Sequence, residues 1–86
     1  MVIALLLLAA CGDGCHAARQ RAAQHDIFEM RKAIRDFHED KKRWPRSLDE
    51  LARERYLHVV PKNPFSGKPD WVVVRRDGGV IDVKRP

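Results

Sequence analysis

Ala23, Ile27, Met30, Ile34 and Phe37 follow one another in steps of 4, 3, 4 and 3, the repeat of one helix face and of no strand. Arg31, Lys32, Arg35, Asp36, Glu39 and Asp40 fill the other faces. Among them Glu29 is placed to reach Lys32, while Arg31 and Arg35 have nothing to offer each other. Residues 17–24 just upstream are strong helix formers, and no Pro or Gly intervenes between Cys15 and Trp44. The spacing predicts one helix of some 25 residues, about 40 Å long at 1.5 Å per residue. In a chain of 86 residues that leaves material for one small domain, whose main task is to cover a single apolar stripe. The helix is longer than such a domain needs, and a stem rising from a membrane anchor accounts for the excess.

Trp44-Pro45 should end this helix, because proline disfavours helical geometry in the residue before it. Ser47 and Glu50 then form a capping-box pattern at the start of a short second helix. Leu48, Leu51, Ala52 and Leu57 give it an apolar side, and Tyr56-Leu57-His58 closes it. Pro61, Pro64 and Gly67 punctuate an extended loop. Beyond it, Trp71-Val72-Val73-Val74-Arg75 and Val80-Ile81-Asp82-Val83-Lys84 flank Asp77-Gly78-Gly79 and read as a β-hairpin. A lone hairpin is marginal in water, so it must lean on the stripe of the long helix. The expected class is α+β: a long N-terminal amphipathic helix, a short second helix and a C-terminal β-hairpin packed on the long helix.

The N-terminus is of another kind. Residues 2–10 contain no charged or polar side chain. As a helix they rise only about 13 Å, against about 30 Å of bilayer hydrocarbon. They suit a signal-peptide hydrophobic region or the surviving end of a longer membrane helix. Leu8-Ala9-Ala10-Cys11 fits a lipobox and makes Cys11 a candidate for lipidation, although the basic region that opens a secretory signal does not precede it. The chain thus divides into an apolar membrane or signal segment at 1–10, a Gly/Cys joint at 11–16 and a head at 17–86.

Chemistry-bearing residues are sparse. His38 and His58 are isolated from any nucleophile or carboxylate pair and are expected to be solvated surface residues. Cys11, Cys15, His16 and His25 miss structural zinc spacing. A Cys11–Cys15 disulfide is an alternative to lipidation. No catalytic, cofactor-binding or metal-binding residue is expected. Seventeen Lys and Arg against twelve Asp and Glu give a net charge of +5, which raises nucleic-acid binding as a third possibility. The cations are interleaved with acids rather than gathered in a stripe, so nucleic acid is not expected as a partner.

Residues 28–37, then Arg43-Trp44-Pro45 with Ser47-Leu48-Asp49-Glu50-Leu51, resemble the pseudopilins of type II secretion and the wider type IV pilin-like superfamily. Tyr56-Leu57, Val60-Pro61-Lys62-Asn63-Pro64-Phe65 and the hairpin run also match, so the resemblance covers roughly 20–86, with the major pseudopilin nearest. It implies a pilin-like periplasmic head on a stem held in the bacterial inner membrane, and a structural subunit of a homo-oligomeric filament. Its partners would be other pseudopilin subunits, inner-membrane secretion components and membrane lipid. Ile27, Met30, Ile34, Phe37, Trp44, Pro45 and Trp71 become the packing and assembly residues. On the same resemblance residues 1–8 look like the middle of the family's membrane helix, entered at an internal methionine. Many major pseudopilins hold calcium in a C-terminal loop, but Asp70, Asp77 and Asp82 are not clustered as that ion requires, and no metal is predicted. The alternative is a small periplasmic lipoprotein, acylated at Cys11, with a pilin-like head.

Overall fold

A computed structural model describes the side chains of residues 15–86. The side chains of the apolar segment at 1–10 and of the lipidation candidate Cys11 lie outside the described residues. Of the joint at 11–16, Cys15 and His16 are described, and both are helical. Two helices, α1 (Val2–Lys41) and α2 (Leu48–Arg53), are followed by two antiparallel strands, β1 (Val72–Arg76) and β2 (Gly79–Lys84). Among the described residues no helix is long and apolar enough to cross a membrane.

The stripe lies where its period puts it. Ala23, Met30, Ile34 and Phe37 are buried, Ala33 joins them, and Ile27 packs against their edge. Val80 and Val83 of β2 complete this core together with Leu48, Leu51, Leu57 and Trp71. The hairpin is therefore packed on α1, as its marginal stability alone requires.

Strict alternation would put Val80 and Val83 on opposite faces of β2. Both are nonetheless fully buried. The register explains it: Val74 pairs with Asp82 but Arg75 pairs with Val80, so Ile81 is an extra residue without a partner across the ladder. This bulge re-phases the strand and turns both valines toward α1. The turn itself is Asp77-Gly78, with φ of 52° and 80°, the paired positive angles of a type I′ loop. Gly79 opens β2 rather than belonging to the turn. Trp71, expected at the head of the first strand, precedes β1 and is buried instead against the loop, its Nε1 donating to the Pro61 carbonyl at 2.7 Å.

Both helices end earlier than the sequence pattern suggests. The first stops at Lys41, three residues short of Trp44, because Lys42 turns into the left-handed region at φ 59° and donates its N–H to the His38 carbonyl at 2.9 Å. Pro45 is therefore not the stop. The second ends at Arg53 in a Schellman motif, with Arg55 at φ 67°, its N–H on the Ala52 carbonyl and the Tyr56 N–H on the Leu51 carbonyl. Tyr56-Leu57-His58 thus lies outside α2. Ser47 caps the helix as expected, its Oγ accepting from the Glu50 N–H at 3.2 Å. Lys32 bonds Asp36 at 3.3 Å rather than Glu29, one turn along the same face.

Two substitutions test this packing. Phe37→Ala should lower stability by about 3–5 kcal/mol, read from denaturant unfolding of the whole chain, since the ring is fully enclosed. Gly79→Ala should cost about 1–3 kcal/mol although its backbone is ordinary, because the new Cβ would stand 2.5 Å from the Trp44 Cβ. An unchanged melt for Gly79→Ala would mean that Trp44 and the hairpin do not meet there.

Candidate functional site

The segment between the two helices, residues 42–47, is where α1, α2 and the hairpin are tied together. Once Lys42 has reversed the chain, Arg43 runs back so that its guanidinium sits 4.9 Å from the centre of the Phe37 ring. The same guanidinium forks onto Glu50, Nη1 to Oε1 at 3.2 Å and Nη2 to Oε2 at 2.8 Å. Glu50 also accepts the Arg46 backbone N–H at 2.8 Å. Its carboxylate is therefore used one residue before the N-cap rather than in the reciprocal half of a capping box. Trp44 stacks on His38 with ring centres 3.7 Å apart and planes 5° from parallel. Pro45 is buried, and its carbonyl accepts the Val80 N–H at 2.7 Å. Arg75 of β1 donates to the Arg46 carbonyl at 2.8 Å. A shallow groove runs between this corner and the hairpin turn, lined by Arg43, Trp44, Arg46, Asp77, Gly78 and Gly79.

Further ties fix the arrangement. Tyr56 donates its hydroxyl to Asp40 at 2.8 Å and packs edge-on against Phe37 at 5.3 Å, while Lys41 pairs with Glu54 at 3.3 Å. On the hairpin side Arg31 bonds the Asp82 carboxylate at 2.7 Å and the Val83 carbonyl at 3.2 Å. Electrostatics follow these contacts. The Arg43 fork, helped by the Arg46 amide and opposed by burial, brings the Glu50 carboxyl down to about 2. Burial alone would push Asp82 up, but the Val83 amide and Arg31 together hold it below its ordinary range. The Tyr56 hydroxyl, donating to Asp40, is pushed above its ordinary value.

The expected packing residues divide between two places. Ile27, Met30, Ile34 and Phe37 line the helix–hairpin interface, and Trp44 and Pro45 build the corner. Trp71 stands apart, on the loop side. All of them serve the interior of this one head. Cys15 and His16 are exposed, as are His25 and His58. His38 is not the solvated residue expected: it is half-buried under Trp44, and its Nδ1 is shielded without a hydrogen-bond partner. Among the described residues no three His, Cys, Asp or Glu side chains come together in a metal-holding group.

What the stripe reading passed over is Phe28, 60 % exposed. It stands one position off the periodic series, and that offset was the available signal. Together with Gln24, Ile27, Arg31, Lys84 and Arg85 it lines an open groove where α1 meets the end of β2. Val59 and Val72 are exposed elsewhere.

The chain matches no known protein family, no curated protein and no solved structure.

The corner predicts a pH dependence. The folded Glu50 carboxyl ionises at about 2 and the unfolded one at 4.5, so its stabilisation is complete above pH 4.5 and is lost as pH falls toward 2. Glu50→Gln should therefore cost about 2 kcal/mol at pH 7, the usual loss for a charge-assisted bond. Denaturant titrations at successive pH values should show the gap between variant and parent closing below pH 4.5. A gap that stayed constant down to pH 2 would remove Glu50 from this role.

Proposed function

We propose that this chain is a pseudopilin-like subunit of a type II secretion or related type IV pilin-like filament, held in the bacterial inner membrane with its head in the periplasm. The observation that carries the reading is the joining of a stem and a corner. One long helix gives a single face to a C-terminal hairpin, and the Arg43-Trp44-Pro45 step fastens that hairpin through the Pro45 carbonyl and the Val80 N–H. Those are the residues on which the sequence resembles the pseudopilins. The apolar run at 2–10 precedes the stem and supplies lipid-compatible surface.

On this reading the chemistry is packing. Stems associate along their N-terminal parts, and heads meet through side chains that the head's own core leaves exposed. Phe28 and the groove beside it are the apolar surface available for such a contact, with another copy of the chain as its occupant and other secretion components at the inner membrane as further partners. The head is rigid enough for this because β2 is tied to α1 at Arg31, the segment just after α2 at Asp40 and Lys41, and the corner at Phe37.

Membrane fractionation followed by chemical cross-linking in cells tests the proposal. The full chain should sediment with inner membranes and give a ladder of homo-multimers. Phe28→Glu should thin that ladder without lowering the melting temperature, since the ring is exposed. A chain that stays monomeric at every cross-linker concentration would overturn the filament reading. Acyl labelling abolished by Cys11→Ser would favour the lipoprotein suggested by Leu8-Ala9-Ala10-Cys11.

A further inference from the structure

Phe65 stands in the loop between α2 and β1 and remains 37 % exposed. His16 of α1 meets its ring edge-on, with centroids 5.8 Å apart. The Arg85 guanidinium lies 4.4 Å from the same ring centre. Loop, stem and C-terminal strand exit therefore converge at the level of His16, the end of the head nearest the apolar run. That run finishes at Ala10, six residues earlier, and a helix covers the interval in about 9 Å. Bilayer headgroups occupy about 5–8 Å on each side of the hydrocarbon. A chain anchored by residues 2–10 consequently holds Phe65 beside the headgroups, not far above them.

The charge at this level has one sign in excess. Arg19, Arg21, Lys62, Lys68 and Arg85 are exposed, and none takes part in the ion pairs found among the described residues. Arg19 and Arg21 stand on α1 within about 17 Å of Ala10 along the axis. Lys68 shares the loop with Phe65. Against them stands Asp70, whose carboxylate is engaged by the Asn63 amide at 3.1 Å, and in the sequence Asp13. Elsewhere in the head Arg31, Lys32, Lys41 and Arg43 are matched by carboxylates, while Arg35, Lys42, Arg46, Arg53, Arg55, Arg75, Arg76 and Lys84 are exposed outside those pairs, so what sets the rim apart is its place beside the apolar run. An aromatic ring among unmatched cations beside a lipid-compatible segment is the pattern of an interfacial contact with acidic headgroups.

We propose that this rim, Phe65 with Arg85, Lys68, Lys62, Arg19 and Arg21, docks on an anionic lipid surface and seats the head against the bilayer before it enters any assembly. The inference rests on the membrane-anchored reading above and adds to it a lipid preference and a fixed head posture. Phe65 lies at the outer edge of the headgroup layer while the long cationic side chains extend toward lipid phosphates. Contact of this kind weakens as salt shortens the reach of each charge, to about 4 Å near 0.5 M.

The full chain, reconstituted into vesicles of phosphatidylcholine alone or with one-third phosphatidylglycerol, provides the test through hydrogen exchange at residues 65–68. At low salt exchange should be about threefold slower on the anionic vesicles, and the difference should vanish near 0.5 M salt. The double variant Lys62→Glu, Lys68→Glu replaces exposed side chains outside the core and should abolish the difference while leaving the melt unchanged. Equal exchange on both vesicles, with the chain floating on both, would overturn the docking and leave the anchor intact. Protection that grows with protein-to-lipid ratio but ignores lipid charge would assign the rim to a second copy instead. Failure to float with either vesicle would sink the anchored reading, and this inference with it.

Discussion

The structure depends on one exchange of surfaces: α1 exposes an apolar stripe that water disfavours, and a hairpin too small to stand alone covers it. Neither partner is viable without the other. Two strands bury little against themselves, and a helix carrying Met30, Ile34 and Phe37 in the open would expose a contiguous apolar band. What converts mutual need into a defined geometry is the corner. The Val80 N–H reaches the Pro45 carbonyl, Gly79 lies too close to Trp44 for any larger residue, and Arg31 holds the far end of β2 through Asp82 and Val83. These points, at opposite ends of one strand, set its angle across the helix.

Charge plays a second, subordinate part. Glu50 gathers Arg43 and the Arg46 amide on a carboxylate that is 8 % exposed, so the turn between the helices is fixed by bonds as well as by packing. Lys42 and Arg55 end their helices in left-handed geometry normally left to glycine. Their neighbours compensate: Lys41 pairs with Glu54, and Tyr56 reaches Asp40, so the two helix ends are fastened to each other just where the backbone is least favourable. Local strain at two residues is thereby offset by contacts between the elements they terminate.

Much of this was legible in the residue order, for physical reasons. The stripe from Ala23 to Phe37 has a period only a helix satisfies, Asp77-Gly78 supplies the positive angles of a tight hairpin loop, and Ser47 is a good cap wherever it precedes a helical run. The discrepancies also have causes. Lys42 and Arg55 carry no signal of a left-handed turn, so the residue pattern runs both helices past their C-terminal ends. The extra residue at Ile81 is invisible to alternation, which would have sent Val80 and Val83 to opposite sides. His38 looks solitary along the chain and gains its half-buried place only because Trp44 returns across it. The Glu50 carboxylate turning to Arg43 and Arg46 instead of to Ser47 is likewise a consequence of the reversal after Lys41, which no short motif encodes.

The same geometry bears on how such a head could meet other molecules. The periodic apolar residues that first suggest an assembly surface are consumed by the intramolecular core, so they can shape contacts between subunits only by holding the head rigid. Side chains outside the period are the ones left for partners: Phe28 on the flank of α1 beside Lys84 and Arg85, and Phe65 at the stem end beneath Arg85. Arg85 stands between these two aromatic surfaces and borders both.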